Sequence, residues 1–410
     1  MTARADQPLA GVRVADFSKV LAGPLCTQYL ADMGAEVIKI EAVQTGDDTR
    51  GWPPFAAPGM GAVFLSANRG KRSIALDLKS EAGRAAAHKI VAGCDVAIES
   101  FGTGVAERLA IDEDSLRAVS PDLVYCSISG FGRTGPMASA PGYDVILQAY
   151  CGVMALTGEE GGDYVRSPIS PIDQVTGMHA LTGILAALYA RRGGAGGRRI
   201  DVNLFETALG LMHYNLQSYW IKGSQPTRCG SSHEALCPYQ AFEAKDGPLM
   251  IGVANDSLWR KFCGVAGLED IRDDPRFATN AARVENRAAT IARVQTALAE
   301  RPIDHWIDAL SAIRVPCAPI NDLDSLMTAA QTKASGAVME LDDIVPEARR
   351  SVAQPVTFDR LPHHPGRRPP HHGEHGVAIL EEVGLSRKEI EDLLKDHALV
   401  LPQAETPADT

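Results

Sequence analysis

Asp173 opens an apolar run, Ser170-Pro171-Ile172-Asp173-Gln174-Val175-Thr176-Gly177-Met178, that continues to Ala190 with the pattern of one long buried helix. An aspartate in that place is most simply an N-cap, its side chain accepting a free backbone N–H. It can also be a nucleophile, because a helix start stabilises a carboxylate as the anion that attacks a carbonyl. The residue types alone leave both readings open. A second signal is cationic. Asn68-Arg69-Gly70-Lys71-Arg72-Ser73 concentrates positive charge, Lys79 follows, and Arg108 lies beyond Ser100-Phe101-Gly102-Thr103-Gly104. Arginine and lysine suit phosphates, and a helix start such as Ala22-Gly23-Pro24 adds backbone donors. Ordinary surface charge is the competing reading.

Two further patterns carry less. Gly130-Phe131-Gly132-Arg133-Thr134-Gly135 is a literal G-x-G-x-x-G after a strand. A dinucleotide site also needs a helix opening at once to hold the pyrophosphate. Pro136 and Pro141 break the segment that follows, so the glycines read as a shaped loop. His363, His364, His371, His372 and His375 hold five of the eleven histidines. Imidazoles ligate zinc or nickel, but the segment is rich in proline and arginine and offers only Glu374 as a carboxylate. It reads as a solvated loop, with no metal expected.

The elements that must position these residues follow from periodicity. Short strands are expected at Val12–Phe17, Glu36–Ile40, Ile74–Leu78, Val96–Glu99, Leu123–Ser129 and Ile200–Leu204. Helices fall between them at Ala22–Met33, with Pro24 in the first turn, at Ser80–Ala92 behind a serine cap, and from Asp173 onward. Alternation of this kind implies parallel pairing and a doubly wound, Rossmann-like α/β domain. After a helix through about Tyr219 the pattern changes. Asp246-Gly247 reads as a hairpin turn between Tyr239–Glu243 and Leu249–Val253, and several helices follow, the look of a smaller α+β domain. The expected layout is a large domain over 1–205, a linker at 206–224, a small domain at 225–330, and a return over 331–410.

The 410 residues, 45% apolar and 22% charged, can bury a large core. A net charge of −11 excludes bulk wrapping of nucleic acid yet permits a local basic pocket. The eight cysteines are scattered, without a C-x-x-C pair, as expected of reduced thiols. With no apolar leader pattern and no apolar stretch of the ~18 residues a membrane helix needs, the expectation is a cytoplasmic protein away from membranes.

The chain resembles the class III coenzyme A transferases, the CaiB/BaiF family, over nearly its whole length. The resemblance is carried in order by "LAGVRVADFSKVLAGPLCTQYLADMGAEVIKIE", "GDDTRGW", "NRGKRSIALDLKS", "YCSISGFGRTGP" with "GYD", "GILAALYARR", "CPYQAFEAKDGPLMIG", "DDPRFATNAARVENR" and "VPCAPIN". It implies a homodimer of two interlocked chains, a coenzyme A thioester as substrate, a carboxylic acid as partner substrate, and no permanently bound cofactor. It implies Asp173 as the nucleophile and Tyr143 near the thioester sulfur. For CoA it implies Val20, Leu21 and Ala22 along the nucleotide, Leu76 and Lys79 on its path, Ser100 and Phe101 as walls, and Arg108 on phosphate. Ala42 stands where relatives often have a basic residue, so one phosphate contact is expected either to be lost or to be supplied by Lys71 or Arg72.

Two departures narrow the expectation. Racemases of this fold place a histidine where Tyr143 stands, and tyrosine, with a reference pKa near 10, is a poor base. No glycine-run loop is present; Arg228-Cys229-Gly230-Ser231-Ser232-His233 stands in its place, similar to the segment of members that handle dicarboxylates. Arg228, Gly230 and His233 are therefore expected around a distal carboxylate, with a purely structural Arg228 as the alternative. The function expected is CoA transfer between carboxylic acids from a dicarboxylyl-CoA such as succinyl-CoA. An α-methylacyl-CoA racemase-like isomerase and a non-catalytic acyl-CoA-binding protein are the alternatives.

Overall fold

The computed structural model describes residues 7–364 and 366–402. Among the described residues, the larger compact unit comprises 7–151, 168–214, 331–364 and 366–402, and the smaller one 152–167 and 215–330. In chain order the elements that matter are β1 (Arg13–Asp16), α1 (Ala22–Asp32), β2 (Glu36–Glu41), β3 (Arg72–Leu76), α2 (Glu81–Val91), β4 (Val96–Glu99), β5 (Val124–Ser129), α3 (Asp144–Tyr150), α4 (Pro171–Arg192), β6 (Arg199–Asn203) and α5 (Leu204–Lys222). After them come β7 (Tyr239–Ala244), β8 (Gly247–Gly252), β9 (Cys317–Pro319) and β10 (Leu399–Val400).

The larger unit is built on a seven-stranded sheet in the order β10-β3-β2-β1-β4-β5-β6. Six strands are parallel, and only β10 runs antiparallel, beside β3. Alternate residues feed two cores, as the two-residue period of a strand requires. Val14, Val37, Val96 and Val124 face α1 and α4, with Leu30, Ile172 and Ile184. Ala15, Ile38, Ile74 and Ala97 face α2 and the C-terminal helices, with Ile90, Leu380 and Leu393. The return of 331–402 thus supplies both an edge strand and part of a core.

Several local expectations hold residue by residue. Ser80 caps α2 by accepting from Gly83 N at 3.0 Å. The 206–224 stretch, expected as linker, is mostly α5, whose backbone departs from helical values at His213. In the smaller unit β7, β8 and β9 form an antiparallel sheet over a core of Phe242, Trp259, Phe262 and Trp306. That unit also takes in 152–167, which periodicity had left with the large domain. All eight cysteines are unpaired thiols, and no described helix is long and apolar enough to cross a membrane.

Candidate active site

From the central pair β1 and β4 the chain winds outward in opposite directions, so a crevice must open beyond their carboxyl ends. A cleft lies there. Lys19, Val20, Leu21 and Ala22 follow β1, Ser100 and Phe101 follow β4, and Gly130 and Arg133 follow β5; Tyr143 and Asp173 complete the wall. The expected nucleophile, its tyrosine and five of the residues expected along CoA therefore share one cavity.

The floor of this cleft is held by buried charge. Val20 has φ 71°, a left-handed conformation that β-branched residues rarely enter. Neighbours tie it down on every side. Val20 N donates to Asp47 Oδ1 at 3.2 Å, Lys19 N to Ser100 Oγ at 3.0 Å, and Lys39 Nζ to Ser18 O at 2.9 Å. Lys39 and Asp47 are themselves a buried ion pair at 2.9 Å. Such strain persists only where surroundings over-determine it. Immediately after Val20, α1 begins with no side-chain cap. The N–H groups of its first turn have no acceptor within the helix, and Leu21 and Ala22 border the cleft.

Asp173 is not the N-cap. Ser170 holds that position with φ 47° and no side-chain bond, and Asp173 is the third residue of α4. The capping is done by Asp144, whose Oδ2 accepts from Ile172 N at 2.8 Å and Asp173 N at 3.1 Å. Pro171 has no N–H, and Gln174 N reaches Ser170 O at 3.2 Å, so the helix start is fully satisfied. Its donors are spent on Asp144. Among the described residues no donor reaches the Asp173 carboxyl. Burial first, and then the Asp144 charge, push it up to about 7. The sequence-based expectation that the helix start would hold Asp173 down as an anion is thereby reversed.

Leu76 and Lys79 lie in an adjoining pocket with Ala42, Asp48 and Leu109, and Lys19 and Phe101 border both cavities. Lys79 and Arg108 are exposed, and among the described residues neither is in an ion pair. Lys71 and Arg72 are not at the cleft. Lys71 is fully buried, its ammonium donating to Asp16, Pro24 O and Asn68 at 2.8–3.0 Å. Arg72 begins β3 and forks onto Glu382 at 2.7 and 2.8 Å while also reaching Glu36. Each cation already has its anion, so the contact expected to offset Ala42 does not come from them.

Arg228, Gly230 and His233 belong to the smaller unit. Arg228 Nη1 donates to Asp163 O at 2.7 Å, and its guanidinium lies 5.0 Å from the Tyr164 ring centroid. Gly230 N donates to Gly158 O at 3.0 Å. With φ 57°, Gly230 holds a left-handed conformation that a side chain would strain. The His233 ring packs edge-on against Tyr239 at 5.6 Å. The G-x-G-x-x-G loop opens no helix: Arg133 within it donates to Glu99 and to Phe101 O, at 2.8 and 2.9 Å. Of the histidine cluster, His372 bonds Ala42 O at 2.9 Å and His375 accepts from Ser73 N at 3.3 Å. No group among the described residues has the make-up to hold a metal ion.

Sequence reading missed Asp144, Arg133 and Gly177. Asp144 was visible only as the last letter of "GYD". Gly177 lets α4 approach α1 so closely that a Cβ there would stand 2.6 Å from Ala22 O.

A family model described as CoA-transferase family III matches residues 9–376. The chain belongs to this family. This CoA-transferase is 37% identical to succinate–glutarate CoA-transferase of Agrobacterium fabrum over 92% of its own length and 96% of that protein. It is 36% identical to succinyl-CoA:glutarate CoA-transferase of Mus musculus, over 92% of its own length and 86% of the other. Among solved structures, a CaiB/BaiF family protein from Brucella suis superposes with a TM-score of 0.82 at 36% identity, covering 92% of this chain and 99% of that one. The chain is therefore an enzyme with CoA-transferase activity.

Proposed function

We propose that the enzyme moves CoA from an acyl-CoA to a free carboxylate with Asp173 as covalent nucleophile, and that its acids are dicarboxylates such as succinate. The observation that carries this reading is the Asp173 carboxyl, bordering the cleft, without a hydrogen-bond donor among the described residues and more basic than an ordinary carboxylate. An Asp173 oxygen attacks the thioester carbon and CoA thiolate leaves, giving an aspartyl mixed anhydride. The thiolate attacks the aspartyl carbonyl, the donor acid departs, and an aspartyl-CoA thioester remains. The acceptor carboxylate attacks that thioester and expels the thiolate. Attack of the thiolate on the acceptor's acyl carbon then releases the new acyl-CoA and frees Asp173. One hard exchange becomes four easier ones.

In this reading the uncapped first turn of α1 supplies N–H groups for the oxyanions, and Val20, Leu21, Ala22, Ser100 and Phe101 hold the pantetheine arm and nucleotide. Leu76, Lys79 and Arg108 take the nucleotide end, and Tyr143 lies by the sulfur. Arg228 recognises the distal carboxylate; among the described residues no acidic side chain pairs with it, and an arginine fork suits a carboxylate. The names of the Agrobacterium and mouse relatives point the same way. A cytoplasmic, interlocked homodimer completes the proposal and rests on the family resemblance.

The test is to incubate the enzyme with acyl-CoAs and carboxylates and trap with hydroxylamine. A hydroxamate on the peptide bearing Asp173 is expected, and Asp173→Ala should lose about 10⁴-fold or more of turnover. Turnover without a hydroxamate, or surviving in Asp173→Ala, refutes the covalent route. In the same panel, Arg228→Ala should raise KM for dicarboxylates about tenfold and leave monocarboxylates unchanged; equal losses on both refute the role given to Arg228.

A further inference from the structure

We propose that Asp144 is a positioning residue for Asp173, seating the first turn of α4 while denying Asp173 the helix-start donors that would quiet its charge. The inference rests on Asp173 being the nucleophile. Three observations combine. Asp144 is buried, and its Oδ2 holds both Ile172 N and Asp173 N, the two free donors at the start of α4. Its other oxygen accepts from Gln148 one turn along α3, so the carboxylate cannot swing away. Ser170, which should have capped α4, does not.

A capping side chain from the neighbouring helix would be unremarkable if it were neutral. Here it is a second carboxylate, placed against the residue that must ionise. The positive end of α4 would otherwise stabilise the Asp173 anion; with Asp144 on its donors, that end is neutralised and a like charge is added. Among the described residues no nearby cation offsets this. Lys19 pairs with Asp48 and Arg133 with Glu99, Tyr143 is the remaining titratable group bordering the cleft, and His179 further along α4 bonds Thr207. The direction of the Asp173 shift, upward with Asp144 as its charged cause, is the one this geometry demands. The chemical return is a carboxylate basic enough to attack a thioester, held by rigid backbone rather than by hydrogen bonds to its own oxygens.

Asp144→Asn separates the two roles, since an amide oxygen still accepts the two N–H groups but carries no charge. The acid limb of kcat/KM for the acyl-CoA reports the ionisation of Asp173 in the free enzyme. In wild type it should fall as pH drops through about 7. In Asp144→Asn it should move to lower pH by about one unit, with the melting temperature nearly kept. Should that variant fail to fold, Gln148→Met, which loosens Asp144 without removing it, should move the limb the same way by less. An unmoved limb in a folded variant overturns the inference. Loss of the hydroxamate on Asp173, or turnover in Asp173→Ala, overturns the nucleophile assignment instead, so the two failures are distinguishable.

Discussion

At the scale of single residues, burial decides what a charge is for. Lys71 and Arg72 sit in a run that reads as phosphate-binding, yet both are spent inside the fold. The sequence displays the cations but not their partners, since Asp16 is 55 residues from Lys71 and Glu382 is 310 from Arg72. Burial alone would raise the Asp16 carboxyl, but Lys71 and Lys39 pull it down to about 2. A depressed carboxylate contributes stability above its unfolded pKa and loses it as pH falls through the folded one. Asp16 thus keeps its contribution until strongly acidic pH. Lys71→Met should strand a buried anion and cost about 3–5 kcal/mol in a urea or thermal unfolding experiment. A phosphate ligand would behave oppositely, raising KM for acyl-CoA at unchanged stability. By contrast Asp173, Tyr143 and Val20, singled out through the family resemblance, do border one cleft, because the order of their motifs along the chain survives folding.

At the scale of elements, the alternation of strands and helices was readable because each buries one face with its own period, and most boundaries moved by one or two residues. What could not be read is how closely two helices approach. Gly177 is one helical turn beyond Asp173 and faces the carbonyl of Ala22, so the gap between α4 and α1 also sets the distance from Asp173, the proposed nucleophile, to the loop carrying Val20. Alanine normally improves a helix over glycine by about 1 kcal/mol. Gly264, exposed in the helix Asp256–Ala266 with open space where a Cβ would sit, should show that gain when changed to alanine. Gly177→Ala should do the reverse, losing stability and at least about tenfold in kcat because α4 must shift. Equal responses at the two sites, followed by thermal melts and turnover, would mean that α4 and α1 do not share this contact in solution.

At the scale of the whole molecule, the larger unit is assembled from three separate stretches of chain and the smaller from two. Periodicity assigned 152–167 to the wrong part because it measures neighbours in sequence, whereas unit membership is a matter of space. The same limit applies to how two chains meet. Threaded connections are rare, and no hydrophobic pattern announces one, so the proposed interlocked dimer rests on the family resemblance alone. It has a consequence that an ordinary dimer lacks. Two linked chains cannot separate while folded, because parting requires one of them to open. Sedimentation should therefore give twice 43.7 kDa at every dilution that leaves the fold intact, where a simple pair dissociates by mass action. When preparations carrying different tags are mixed under native conditions, no hybrid should form; after joint unfolding and refolding, hybrids should appear in about half of the dimers, the statistical share for random pairing. Hybrids forming in native buffer, or a folded species of single mass, would show that the chains meet only at their surfaces.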